Sequence, residues 1–196
     1  MLKNPNKYEI GKTIVYFIRH GDREHIPDNL GIGLRIPGPG LSSLGIIQAK
    51  KVAKEISKIK NQIDSLYCSK MQRAIDTAKI IGKKINKKPK IAPGIEEFNK
   101  FLWKRKLYHY KFWKHYLLYR KAIKSFNKIL DENKGKVVVI VAHGNVIQSL
   151  IFRKLGISFI KAGKFHHGNC NISIARYNNR NLDHVCCFNS TSISHD

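Results

Sequence analysis

The sequence predicts an α/β fold: a three-layer α/β/α sandwich around a mostly parallel sheet, carrying a helical, basic insertion. Three observations predict it. Thr13 to Ile18 (TIVYFI) and Val137 to Ala142 (VVVIVA) lack polar alternation, as strands buried on both faces do. Each run leads directly into a His-Gly pair, Arg19-His20-Gly21 and His143-Gly144-Asn145. Amphipathic helical patterns lie between the extended runs, which argues for a parallel sheet with helices on its faces.

The elements follow in order. After the first strand comes a loop rich in Gly and Pro, Pro27 to Gly40, and then Ser42 or Ser43 as a helix cap. Ala49, Val52, Ala53, Ile56 and Ile59 follow helical spacing, with Lys50, Lys51 and Lys54 on the other side. A short strand is expected around Ser65 to Cys68, and a helix from about Lys70 to Ile81 that stops near Gly82. Lys83 to Lys90 reads as a basic connector, with a brief extended piece near Ile91.

Residues 100–124 hold nine Lys or Arg, eight aromatics and no acid. Within and beyond them, Phe112, Tyr116, Tyr119, Ile123, Phe126 and Leu130 are spaced as one apolar stripe on a long helix, with Gly135 as a stop signal. An apolar helix is expected from about Val146 to Leu155. Two closing strands follow, Asn171 to Tyr177 and Leu182 to Phe188, around the turn Asn178-Asn179-Arg180. The chain of 196 residues suits one domain, 1–196, with 98–130 as an insertion segment.

Lys and Arg number 37 against 13 acids, a formal charge of +24. Such a field concentrates anions and admits a phosphorylated metabolite, nucleic acid, polyphosphate or anionic lipid as partner. A solvated, lysine-rich surface accounts for most of the excess, because basic residues occur along the whole length. The four cysteines form no Cys-x-x-Cys pair, so neither a disulfide framework nor a zinc knuckle is expected. Residues 1–11 are polar and lack the apolar core of a signal peptide. No apolar run is long enough to cross a bilayer. The expectation is a cytoplasmic protein with no membrane insertion.

In open α/β sheets, ligands bind beyond the carboxyl ends of the strands. Two histidines at two strand ends can therefore converge on one site. Neutral imidazole is a competent nucleophile near neutral pH. The glycine after His20 permits a tight turn beside a phosphate. Arg19 offers a planar fork that matches phosphate oxygens, and Arg73 stands just past the second predicted strand. These residue types point to phosphoryl transfer, with His20 as nucleophile.

The motifs resemble the histidine phosphatase superfamily, which includes the phosphoglycerate mutases. Arg19-His20-Gly21 follows a strand. Leu41-Ser42-Ser43-Leu44-Gly45 with Gln48-Ala49 resembles the family's "L-T-x-x-G-x-x-Q-A" helix start, and Ser69 to Thr77 (SKMQRAIDT) its "S-x-x-x-R-A-x-x-T". Ile95-Glu96-Glu97-Phe98 followed by Trp103 is similar to "L-x-E" with a downstream Trp. Val141-Ala142-His143-Gly144 resembles the second His-Gly. Asn169-Cys170-Asn171-Ile172 and Phe188-Asn189-Ser190-Thr191 are similar to the C-terminal strands.

The resemblance implies that His20 attacks phosphorus, that Arg19, Arg73 and His143 hold the phosphate, and that His143 does so as a charged donor. It implies that Glu97 protonates the leaving oxygen, with Glu96 as the alternative acid, and that no metal or other cofactor is needed. Arg23, in R-H-G-D-R, is expected to contact phosphate, with Asn29 and Asn145 as further substrate contacts. Lys104, Arg105, Lys106 and Lys111, in the family's lid region, are expected to attract an anionic substrate body.

The "E-R-H-Y-G" mutase signature is absent, since Glu97 precedes Phe98-Asn99-Lys100. That favours a metal-independent phosphatase acting on phosphate monoesters over a phosphoglycerate-type mutase. A polyanion- or nucleic-acid-binding protein on the same scaffold is a further alternative. A metal site on His143, His166 and His167 is a remote one. Nothing in the sequence points to an oligomeric state.

Overall fold

The structure, a computed structural model, describes residues 11–25, 37–98, 109–157, 159–162 and 164–193. Six strands form one sheet: β1 (Thr13–Arg19), β2 (Ile63–Cys68), β3 (Lys90–Ile91), β4 (Val137–Ala142), β5 (Ile172–Asn178) and β6 (Asn181–Ser190). Their spatial order is β3-β2-β4-β1-β5-β6. The pairs β3/β2, β2/β4 and β4/β1 are parallel; β5 runs antiparallel to both β1 and β6. The helices are α1 (Ser43–Ser57), α2 (Gln72–Ile85), α3 (His109–Glu132), α4 (Gly144–Phe152) and the short α5 (Phe159–Ala162).

The pleat of β1 and β4 divides the core in two. Ile14, Tyr16 and Ile18, with Val137, Val139 and Val141, face α1 and α2. Val15 and Phe17, with Val138, Ile140 and Ala142, face α3 and α4. Both strands are apolar throughout because both faces are covered. The three-layer sandwich expected from the sequence is the architecture observed.

Three expectations need correction. Gly82 does not stop α2, which continues to Ile85 and ends at Asn86, a residue in the left-handed region at φ 56°. Gly82 is instead a close-approach site: a Cβ there would lie 2.3 Å from the Lys87 carbonyl oxygen and 3.2 Å from Leu66. Glycine to alanine in a helix ordinarily gains about 1 kcal/mol. Here Gly82→Ala is expected to lose about 1–3 kcal/mol to overpacking, read as a lower midpoint in thermal unfolding.

The apolar stripe of α3 is met at Ile123, Phe126 and Leu130 but not at Tyr116. Ala122, Phe126, Ile129 and Leu130 are buried against the sheet, with Leu118 and Ile123 packed alongside. Tyr116, assigned to the stripe, is 36% exposed. The last corrections are at element ends: α4 begins at Gly144 and finishes at Phe152, earlier than the hydrophobic run suggests. No helix among the described residues is long and apolar enough to cross a membrane.

Candidate active site

The sheet register brings the site together. Arg19 pairs with Ala142, and Cys68 with Val141. The pairing continues one residue further, where the amide of His20 donates to the Ala142 carbonyl and that of Ser69 to the Val141 carbonyl. His20, His143 and Ser69 thus stand side by side just past three strand ends. Helix α1, after β1, packs on one face of the sheet, and α4, after β4, on the other. Such a divergence opens the crevice in which ligands of open α/β sheets bind.

His20 and His143 are both buried, with ring centroids 5.0 Å apart. His20 Nδ1 lies 2.7 Å from the Gly21 carbonyl, an acceptor only, so Nδ1 carries the proton. Nε2 therefore keeps its lone pair, and Arg73 Nε donates to it at 3.1 Å. Burial first, and the Arg73 charge second, push the His20 pKa down to about 3 against the pull of the Gly21 carbonyl. The ring is neutral at physiological pH, as a nucleophile must be.

Glu97 belongs to this cluster and Glu96 does not. Glu97 Oε2 lies 3.9 Å from His143 Nδ1, and its Oε1 is shielded with no hydrogen-bond partner among the described residues. Glu96 accepts from the Gly94 amide at 3.0 Å and approaches Lys70 at 3.7 Å. Burial raises the Glu97 pKa, while the charges of Arg73 and Arg19 and the Asn145 side chain pull the other way. Asn145 also donates to the Phe98 carbonyl at 3.0 Å, so it braces the segment that carries Glu97.

Arg19 reaches the same pocket: its charge acts on His20, Glu97 and His143 alike. One guanidinium nitrogen donates to the His167 carbonyl, and its buried Nε has no partner among the described residues. Arg23 is half-buried, its Nη1 is likewise shielded and without a partner among them, and its charge bears on His20 and Arg73. The guanidinium of Arg73 is lowered by burial to about 10, still a cation at neutral pH. The expected charge on His143 is opposed: burial, then His20, Arg73 and Arg19, push its pKa well below 6.5. In the free protein that ring is neutral.

Donor atoms of His20, Glu97 and His143 lie within 4.8 Å of one another. A cation placed among them would face Arg19 and Arg73, and the His20 lone pair already accepts from Arg73. The balance of charge favours an anion. His167 is no ligand candidate, since its Nε2 is paired with Ser173 Oγ at 2.9 Å.

Comparison with known proteins places the chain in a family. The histidine phosphatase superfamily (branch 1) matches residues 15–111 and 113–189. The chain belongs to that superfamily. Among solved structures, Entamoeba histolytica phosphoserine phosphatase in complex with 3-phosphoglyceric acid is 24% identical. It superposes with a TM-score of 0.70 over 91% of this chain and 97% of that one. A mycobacterial glucosyl-3-phosphoglycerate phosphatase is 18% identical, with a TM-score of 0.69 over 91% and 99%. A PE-PGRS family protein of Mycobacterium tuberculosis is 32% identical over 92 residues, which are 45% of this chain and 15% of that relative. The chain therefore spans only a small part of that curated relative's length.

The superfamily motifs of this histidine phosphatase take on physical roles. Gly21 and Gly45 let α1 abut the turn after His20: a Cβ on Gly21 would lie 2.6 Å from the Gly45 oxygen, and one on Gly45 2.0 Å from the Asp22 oxygen. Ser42 caps α1 through the Gly45 amide and donates to Asp22 Oδ2 at 2.7 Å. Gln48 Oε1 accepts from the Asp22 amide at 2.8 Å. Thr77 Oγ1 accepts from the Gly21 amide at 3.1 Å and donates to the Arg73 carbonyl, coupling the two halves of the site. Asn189 clamps the turn that holds Arg19, accepting from the Gly168 amide at 2.7 Å and from Asn171 at 2.9 Å. These supporting roles follow from contacts across the fold. Sequence offers only the motif positions as a signal. Asn29, Lys104, Arg105 and Lys106 lie outside the described residues, as does the side chain of Lys111.

Proposed function

We propose that this protein is a metal-independent phosphatase that hydrolyses phosphate monoesters through a phosphohistidine on His20. The observation that carries the reading is the unprotonated Nε2 of His20, held by Arg73 Nε at 3.1 Å with Nδ1–H committed to the Gly21 carbonyl at 2.7 Å, in a pocket shared with two guanidinium groups and a carboxyl. His20 Nε2 bonds to phosphorus as the ester P–O bond breaks, and the protonated Glu97 gives its proton to the departing alkoxide oxygen. Glu97, now a carboxylate, takes a proton from a water that attacks the phosphohistidine. The P–N bond breaks, inorganic phosphate leaves, and His20 and Glu97 return to their starting states. Arg19, Arg73 and an N–H of His143 stabilise the charge on the phosphoryl oxygens throughout. The arginines supply the electrostatic stabilisation a metal would otherwise provide.

The substrates are small phosphorylated anions; phosphoserine and phosphoglycerate are sensible first choices, given the solved relatives. The test is a panel of phosphate monoesters with chelator present, followed by product analysis. Release of inorganic phosphate is expected. Conversion of a phosphoglycerate into its isomer, without phosphate release, would identify a mutase instead. Activity abolished by the chelator would refute metal independence.

Arg23 serves as an additional anion contact, since its Nη1 is buried without a partner among the described residues. Arg23→Ala is expected to raise KM about tenfold, the loss of one charge-assisted hydrogen bond. Its removal also relieves one of the charges that hold the His20 pKa down, so the acid limb of the pH–rate profile moves to higher pH. Steady-state kinetics across pH reads both effects.

A further inference from the structure

Ser69 has been given no role by the motif it opens, yet it makes the closest polar contact of His143. Its Oγ is fully buried and lies 2.7 Å from His143 Nε2. The same oxygen accepts a hydrogen bond from the Met71 amide at 3.2 Å. Among the described residues, the hydroxyl hydrogen then has one acceptor in reach, the Nε2 lone pair. A hydroxyl that has accepted from a backbone amide and donates onward in this way polarises the chain in a fixed direction.

We infer that Ser69 is a positioning residue that holds His143 in the Nδ1–H tautomer, so that the ring presents an N–H, rather than a lone pair, to the phosphoryl group and Glu97. The opposite tautomer would leave the buried Ser69 hydroxyl hydrogen without an acceptor. A buried hydroxyl hydrogen left without an acceptor costs free energy. His143 Nδ1 has no hydrogen-bond partner among the described residues, which leaves its proton available to an incoming anion. The groups that face the ring are His20, Arg73, Arg19 and Glu97, so a neutral donor meets less repulsion there than an imidazolium.

The same construction recurs at His167. Ser173 Oγ accepts from the Asn189 amide at 3.0 Å and contacts His167 Nε2 at 2.9 Å. His167 Nδ1 faces the Gly168 carbonyl. There the tautomer serves the turn that holds Arg19; at His143 the freed N–H points into the site.

The inference rests on the phosphatase reading for its purpose, but the tautomer is a property of the resting protein and is measured without turnover. Nitrogen-15 NMR of the full chain, with His143 assigned by its disappearance in His143→Gln, is expected to show a protonated Nδ1 and an unprotonated Nε2. In Ser69→Ala the Nε2–H tautomer is expected to become populated, and affinity for inorganic phosphate to fall about tenfold. A resting His143 protonated on Nε2, or a tautomer unchanged in Ser69→Ala, would overturn the inference. A protein with the expected tautomer and no activity on any monoester would overturn the phosphatase reading alone.

Discussion

His20→Ala is expected to lower kcat by at least about a thousandfold, because it removes the group that bonds to phosphorus. Arg19, Arg73 and His143 remain in the variant, so binding of inorganic phosphate should stay within a few-fold of wild type. A matching loss of binding and turnover would mean that the variant has lost its pocket rather than its nucleophile. Acid-labile, alkali-stable phosphate on the wild-type protein during turnover, and none on His20→Ala, is the accompanying chemical signature. Turnover that survives the substitution would sink the mechanism.

The same substitution has a consequence for stability, with a definite sign. The native pKa of His20 is about 3 against an ordinary value of 6.5, so the unfolded chain binds the extra proton between those pH values. Its contribution is fully present above about pH 6.5 and is lost as pH falls towards 3, at roughly 1.4 kcal/mol for each pH unit. His143 and His167 act in the same direction, both pushed down by burial, His167 to about 4. His20→Ala should therefore unfold less steeply with acid than wild type, while keeping the part due to the other two rings. Denaturant midpoints measured between pH 7 and pH 4 read the difference.

The strand ends that place His20 and His143 are legible in the sequence because a strand covered on both faces must be apolar at every position. TIVYFI and VVVIVA admit few other readings, and a parallel sheet then puts both carboxyl ends at one edge. Arg73 is legible for a related reason, as a cation just beyond β2. The choice between Glu96 and Glu97 is not legible, since adjacent loop residues differ only in the direction their side chains take. The geometry separates them: one carboxyl is held at Gly94 and Lys70, the other turned to His143.

Helical periodicity locates α3 and, at Ile123, Phe126 and Leu130, its buried face; it does not report that Tyr116 is exposed, because the spacing cannot tell where the helix runs past the edge of its contact with β1 and β4. Gly82 misleads for another reason. Its lack of a side chain serves the passage of the Lys87 backbone, an event five residues away that no local signal reports. The link from Ser69 to His143 spans 74 residues and depends on a distance of 2.7 Å between two buried atoms. Such contacts are written in the sheet register, not in the spacing of residues along the chain.

Glu97→Gln separates the two halves of the reaction. Glutamine can neither protonate a leaving oxygen nor take a proton from water, so kcat for an alkyl phosphate is expected to fall by about a hundredfold to ten-thousandfold. With p-nitrophenyl phosphate the leaving phenolate needs little protonation, and the first half should survive. The second half still requires a base. A burst of p-nitrophenolate equal to the enzyme concentration is therefore expected, followed by a stall with phosphate held on His20. The pH profile carries the sign. Burial raises the Glu97 pKa, so in wild type the acid form persists above the ordinary carboxyl range and kcat/KM for alkyl phosphates declines as pH rises through the raised value. That alkaline limb should vanish in Glu97→Gln, while the acid limb set by His20 near pH 3 remains. Rapid-quench measurement of the burst and a pH series on both substrates test the assignment. Normal steady turnover of p-nitrophenyl phosphate with no accumulated phosphoenzyme would remove Glu97 from the hydrolytic step.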